Sequence, residues 1–402
     1  MESVTRIGQV IGCNRYKILL LLSLFNAVVL GIAGAVKTPT LINPESITKT
    51  IKSDEDGEVV DCVDIYKQPA FSHPLLANHT IQMKPGSYPA RVEETRSSSN
   101  SSNFSELLIQ NWHKNGKYCP EGTIPIARSK VNPKDRKAHP KAFSLDDYVI
   151  VDALGHEHAQ VTLEGGNYHG ATGKFNVWNP VTFHPEFSLA QMWVIAGDGA
   201  DLNTIEAGWM VNSVTNNFNT SLFTFWTSDG YRSTGCYNLD CPGFVQTSNK
   251  IALGMHLNMI SQYNGQQFET KITVHKDPTS GNWWLQIQGE DVGYWPSALF
   301  KALSSTATAI NWGGEITNTN PDGRHTPTQM GSGHFASEGW KKAAFVRNLG
   351  YVDESCTIRD PDHDLIPLTT RAECYSVHLG NFDQTYGAHF YYGGPGLSLS
   401  CH

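Results

Sequence analysis

The sequence is short of charge. Asp, Glu, Lys and Arg make up only 17% of its 402 residues, and the balance leaves a formal charge of -8. Proteins that grip a nucleic-acid backbone carry a basic face, and no Lys/Arg run here offsets the overall sign, which excludes a nucleic-acid partner. Long apolar runs are missing beyond the N-terminus, so nothing after it reads as a membrane span. Three catalytic signatures are absent as well. There is no His-Glu-x-x-His helix motif and no Cys-x-x-Cys pair. Gly331-Ser332-Gly333 lacks the spacing of a nucleophile elbow, and Gly396-Leu397-Ser398-Leu399-Ser400 lacks its closing glycine. These absences remove the commonest zinc-protease, dithiol and serine-hydrolase readings.

What is present begins with a compartment signal. Arg6, Arg15 and Lys17 precede an apolar run from Ile18 to Val36, and the small residues Ala33, Gly34 and Ala35 close it. A basic start, an apolar stretch and a small-residue exit make a secretory signal peptide, assigned to residues 1–35. An uncleaved signal anchor is the alternative, since the run approaches spanning length. The sequons at Asn78, Asn100, Asn103 and Asn219 fit passage through the secretory pathway. Loss of Cys13 with the signal leaves Cys62, Cys119, Cys236, Cys241, Cys356, Cys374 and Cys401, an odd set that strands one thiol in an oxidising compartment. A catalytic cysteine would need that thiol beside a histidine, which nothing in the sequence shows.

From Lys37 to Arg128 the chain is polar and punctuated, with an acidic stretch at Asp54-Glu55-Asp56 and a low-complexity run from Ser97 to Asn103. Cys62 and Cys119 are the only cysteines of this half after signal removal, so they are expected to pair, with a small folded piece around Cys62 to Leu76. The exposed, basic, proline-containing stretch Arg128–Lys141 marks a domain boundary, dividing 36–128 from 129–402.

Beyond it the texture is that of short strands. Phe268, Thr270, Ile272 and Val274 alternate with Glu269, Lys271, Thr273 and His275, then come turn residues from Asp277 to Gly281. Trp283, Leu285 and Ile287 resume the alternation, which predicts a β-hairpin. Further strands are expected at Tyr148–Leu154, Gln160–Leu163, Phe175–Trp178, Leu189–Ile195, Leu222–Trp226 and Ile310–Thr317. Only Ser297–Thr308 reads as helical, with Leu299, Phe300 and Leu303 at helical spacing. The pattern predicts an all-β antiparallel sandwich behind a small N-terminal domain.

There are 16 histidines, including His156-Glu157-His158, which puts two on one side of any strand, and His325 and His334 around a glycine-rich segment. Surface and loop placement is the ordinary reading for these, and no metal or cofactor is assigned. Carboxylates are the sharper signal. In Thr204–Val211, alternation sets Ile205, Ala207, Trp209 and Val211 on one face and Glu206, Gly208 and Met210 on the other. Glu315 likewise lies among apolar neighbours, beside Gly313 and Gly314. A charged group on an apolar surface is costly unless it is paired or working. The glycines at 208, 313 and 314 would leave a trough in which an extended peptide lies close to the sheet. Two carboxyls in one trough repel when both ionise, which splits them into an acid and a base. Either could then take the part of activating water or of protonating the leaving nitrogen.

The sequence resembles the neprosin family of plant glutamic peptidases. The likeness starts at Asp61-Cys62-Val63-Asp64-Ile65-Tyr66 and His73-Pro74-Leu75-Leu76, and runs through Cys119-Pro120-Glu121-Gly122-Thr123. It continues in Thr204-Ile205-Glu206-Ala207-Gly208-Trp209, Gly293-Tyr294-Trp295-Pro296, Trp312-Gly313-Gly314-Glu315 and Gln329-Met330-Gly331-Ser332-Gly333-His334. The resemblance implies a secreted precursor whose N-terminal segment is removed in acid, and a β-sandwich that cleaves peptides after proline. It implies catalytic roles for Glu206 and Glu315, and disulfides Cys236–Cys241 and Cys374–Cys401; Cys356 falls outside the pattern and leaves Cys356–Cys374 as an alternative. A monomer is expected, outside the cell, in the cell wall or in a vacuole, acting on peptide or protein substrates, proline-rich ones included. A different class of function remains beside it: a cell-wall or glycan-binding module using Trp178, Trp284 and Trp295 as exposed platforms.

Overall fold

The computed structural model describes residues 42–91, 104–105, 110–113, 116–128, 155–361 and 365–402. The signal segment, Asn100, Asn103, the strand expected at Tyr148–Leu154 and most of the stretch Arg128–Lys141 lie outside these residues. Among the described residues no helix is long and apolar enough to cross a membrane.

Regular structure is almost wholly β, with short 3-10 turns between strands. One sheet has six strands, in the spatial order Ser221–Thr227, Asn203–Asn212, Phe187–Ala196, Ala307–Thr317, His156–Tyr168 and Ile366–Thr369. Every neighbouring pair in it is antiparallel. A larger sheet lies on it, built around Gln267–Lys276, Gly170–Asn176 and Ala344–Val352. The two are joined by one apolar core. Ala190, Met192, Val194, Ile205, Ala207, Trp209, Val211, Ile310 and Trp312 enter it from the six-stranded sheet. Two tryptophans also cross the gap by hydrogen bond: Trp209 Nε1 donates to the Asn176 carbonyl at 3.1 Å, and Trp312 Nε1 to that of Thr172 at 3.2 Å.

The expected hairpin is present, with Ile272 opposite Ile287 and Lys276 opposite Trp283. Two expectations are corrected. The helix at Ser297–Thr308 is only a 3-10 turn at Ser297–Leu299. Asn203 Oδ1 accepts from the backbone N–H groups of Lys301, Ala302 and Leu303, donors that a helix would have directed to its own carbonyls. The apolar spacing there serves burial, since Leu299, Phe300 and Leu303 all sink into the core. The exposed tryptophan platforms are absent too: Trp178, Trp284 and Trp295 are all buried.

The N-terminal part forms a three-stranded antiparallel sheet, Ile47–Lys52, Val59–Asp64 and Thr123–Ala127. Its Val63, Ile65, Ile124 and Ile126 belong to the same apolar cluster as the sandwich, so it packs as part of one core. Disulfides join Cys62–Cys119, Cys236–Cys241 and Cys374–Cys401. Cys356 is a free, half-buried thiol, and its alternative partner Cys374 is taken by Cys401. Asn78 and Asn219 are exposed.

Candidate active site

The six-stranded sheet has a second face, turned away from the core, and strand alternation decides what it carries. Phe187, Leu189, Trp193, Ile195, Met210, Phe223 and Phe225 form a separate apolar cluster there, closed over by Tyr231 and Tyr237. Glu206, Glu315 and Gln191 share this face with His156 and His158. Both faces of the Glu206 strand are buried, along all ten of its residues.

Register sets the neighbours. Glu206 stands opposite Trp193, and Glu315 stands between Leu189 and His158. Gln191 is flanked on one side by Gly208 and on the other by Gly313. A Cβ on Gly208 would fall 2.0 Å from the Ala190 carbonyl oxygen and 2.7 Å from the Gln191 Cβ; one on Gly313 would fall 2.5 Å from the Ala159 carbonyl oxygen and 2.6 Å from the Gln160 Cβ. Both glycines therefore admit the neighbouring strand and its glutamine. Gly314 points the other way, where a Cβ would meet Met330 and Tyr392 at 2.7 Å.

Seated between the glycines, Gln191 reaches both acids. Its Nε2 donates to Glu206 Oε2 at 3.1 Å and to Glu315 Oε2 at 3.4 Å. The two carboxyls that alternation singled out thus share one amide donor, although they come from strands separated by a third. Each is otherwise held differently. Glu206 accepts from the Tyr231 hydroxyl at 2.6 Å and from Thr204 Oγ1 at 2.7 Å, both on Oε1. Glu315 Oε1 lies 2.6 Å from His156 Nδ1, and its Oε2 lies 3.9 Å from His158 Nε2.

These surroundings act on the Glu206 carboxyl. Both glutamates are fully buried. Burial pushes the Glu206 carboxyl up to about 8, and the nearby Glu315 charge pushes the same way, against the hydrogen bonds from Tyr231, Thr204 and Gln191. Glu206 is thereby kept neutral. Glu315 is set between two imidazoles, those of His156 and His158. Gln191 Oε1 and Trp193 Nε1 are buried beside the pair with no hydrogen-bond partner among the described residues.

Gln191, Thr204, Tyr231 and the paired role of His156 and His158 were not read from the sequence. The two histidines were noticed as sharing one side of a strand; what was missing was that this strand neighbours the one bearing Glu315. The other histidines singled out lie elsewhere: His325 pairs with Glu157 and His334 with Glu338.

Comparison with solved structures finds similarity to Scytalido-glutamic peptidase bound to a peptide-based transition state analog, at 10% identity and a TM-score of 0.33, over 60% of this chain and 98% of that one. SCP-B, a member of the Eqolisin family in complex with the tripeptide Ala-Ile-His, is similar at 9% identity and a TM-score of 0.31, over 60% and 98%. CG-16, a homodimeric agglutinin from chicken liver, is similar at 7% identity and a TM-score of 0.22, over 39% and 93%. Two family models match the sequence itself, one described as Neprosin over residues 184–395 and one as Neprosin activation peptide over residues 50–162.

Proposed function

The chain belongs to the neprosin family, with an activation-peptide region ahead of its peptidase region, and from that footing we propose that it is a secreted glutamic endopeptidase made as an acid-activated precursor. The observation that carries the reading is one buried site where a single amide holds two carboxyls, one of them raised to about 8. Such a pair supplies an acid and a base at the same pH.

In the proposed reaction, the Glu315 carboxylate draws a proton from a water molecule, and the resulting nucleophile attacks the peptide carbonyl carbon. Neutral Glu206 donates a hydrogen bond to the carbonyl oxygen as it gains charge, with the Gln191 amide beside it. Glu206 then gives its proton to the leaving nitrogen as the oxyanion re-forms the carbonyl and the C–N bond breaks, and the proton that Glu315 took from water returns Glu206 to its neutral form. His156 fixes the Glu315 carboxylate, and Tyr231 with Thr204 fixes Glu206. Gln191 Oε1 and Trp193 Nε1, without a partner among the described residues, offer a peptide backbone further hydrogen bonds. Gly208 and Gly313 serve by seating the glutamines of this face, and preference for proline on the carbonyl side of the cut is carried over with the family.

The direct test is acid incubation between about pH 2.5 and 5, a range that brackets carboxyl titration. The full chain is offered a proline-containing peptide, and products are read by mass spectrometry. Shortening of the chain and new ends after proline are expected, and both are to vanish in Glu315→Gln. An intact chain and an intact peptide throughout, with the protein folded, would overturn the proposal. The Glu206 environment adds a second expectation. Activity requires the neutral acid, so it is to fall as pH rises through about 8. A rate that stays level from neutral pH to well above that value would remove Glu206 from the acid role.

A further inference from the structure

The face that bears the two glutamates continues past them. Met210 lies four residues beyond Glu206 on the same strand and the same face, ~13 Å away at the rise of an extended strand. Phe223, on the neighbouring strand, stands opposite Gly208. Met210 and Phe223 line a cavity of about 250 Å³, together with Tyr237, Leu239 and Leu253. The N-terminal sheet supplies another part of its wall, through Val59, Ile126 and Ala127.

That sheet is fastened beside the cavity through His256. His256 Nδ1 lies 3.0 Å from Asp56 Oδ2 and its Nε2 lies 3.1 Å from Glu58 Oε1, while its backbone N–H donates to Glu58 Oε2 at 3.1 Å. Removal of the N-terminal sheet would take Val59, Ile126 and Ala127 away and open the cavity on that side, leaving Met210, Phe223, Leu239 and Leu253 with Asn216, Ser221 and Asn238.

We infer that this cavity is a substrate subsite, walled off in the precursor by the N-terminal sheet, which takes an apolar side chain of an extended peptide about four residues from the bond to be cleaved. The inference rests on the peptidase reading above. Three observations carry it. The cavity shares its floor with the catalytic face, through Met210 and Phe223. The N-terminal part lines it with residues of the class proposed, Val59 and Ile126, beside the charged Asp56, Glu58 and Arg128. And an unbroken aromatic path leads from the apolar part of its wall to the acid, away from the polar part at Asn216, Ser221 and Asn238: Phe223 meets Tyr237 with ring centroids 6.1 Å apart, Tyr237 meets Phe225 at 5.2 Å, and Phe225 stacks on Tyr231 at 6.2 Å. Tyr231 is the residue whose hydroxyl holds Glu206. A side chain seated in the cavity bears on the stack that positions Glu206, so its binding energy reaches kcat as well as KM.

The test uses the full chain after acid incubation and peptides with one cleavable core, extended on either side by Leu or by Ser at successive positions. Leu at a single remote position is expected to raise kcat/KM about tenfold over Ser at that position. Met210→Ala and Leu239→Ala are each expected to bring that Leu-to-Ser ratio toward one. Because the ratio is taken within one variant, a partial loss of folded enzyme cancels. Equal rates for Leu and Ser at every position would overturn the subsite while leaving the peptidase reading standing. A Leu preference that both variants retain would also overturn it. Failure to cleave any peptide of the series would overturn the peptidase reading, and the subsite with it.

Discussion

Glu206→Gln is expected to lower kcat by about a thousandfold or more while making the folded chain more resistant to alkali. The first effect follows from the loss of an acid that contributes roughly 10²–10⁴ in rate. Gln keeps the shape and can still accept from Tyr231 and Thr204, so the loss is chemical and the fold is kept. The second effect follows from linkage. The Glu206 carboxyl is raised from 4.5 to about 8 in the folded chain, so across that interval the folded state holds a proton that the unfolded state has released. Stability contributed by this group is complete below the lower value and is lost as pH rises through the upper one. At about 1.4 kcal/mol per pH unit of difference, the wild type carries a penalty of a few kcal/mol at alkaline pH that Gln does not. Denaturant midpoints measured from about pH 6 to 9 should therefore diverge, the variant above the wild type. Parallel midpoints would refute the buried neutral acid, and retained activity would refute its role.

Gly208→Ala is the second large effect. Its new methyl would sit 2.0 Å from the Ala190 carbonyl oxygen, an atom of the neighbouring strand's backbone that cannot turn aside. The strands must part or the ladder must break, at a cost of roughly 3 kcal/mol or more. Gly313→Ala meets the backbone of the strand on its other side at 2.5 Å and is expected to behave alike. Gly289→Ala is the comparison: nothing lies within 4 Å of its Cβ position, and only its positive φ is strained, worth about 1–2 kcal/mol. Urea midpoints of the three should separate the first two from the third. If all three shift equally, close strand approach is not what these glycines provide. Because Gln191 is seated between Gly208 and Gly313, the same two substitutions are expected to weaken the grip on both carboxyls.

Much of this was legible before the structure, and the limit is informative. Alternation within a single strand told which residues share a face, so Glu206 with Gly208, and Glu315 near its glycines, stood out. Alternation says nothing of which strand comes next. The spatial order places the Phe187–Ala196 strand between the two glutamate strands and the His156 strand outside them. From that order alone come Gln191 as the shared donor and His156 as the partner of Glu315. Tyr231 was hidden for another reason: it lies on a loop and reaches Glu206 only because the chain turns there at a positive φ. The failed helix at Ser297–Thr308 shows the converse. Leu299, Phe300 and Leu303 have helical spacing, but Asn203, distant in sequence, claims the backbone donors that a helix needs.

The bridge between Cys62 and Cys119 spans 57 residues and includes the stretch with the sequons at Asn100 and Asn103. A protease that nicks the chain anywhere inside that loop produces two pieces that remain a single covalent particle, still carrying both sequons and still fastened over the cavity. On a gel such a product runs as an intact precursor until it is reduced. A cut beyond Cys119 sets the bridged N-terminal segment free, so reduced and unreduced samples of the same digest distinguish a nicked, masked protein from a released one.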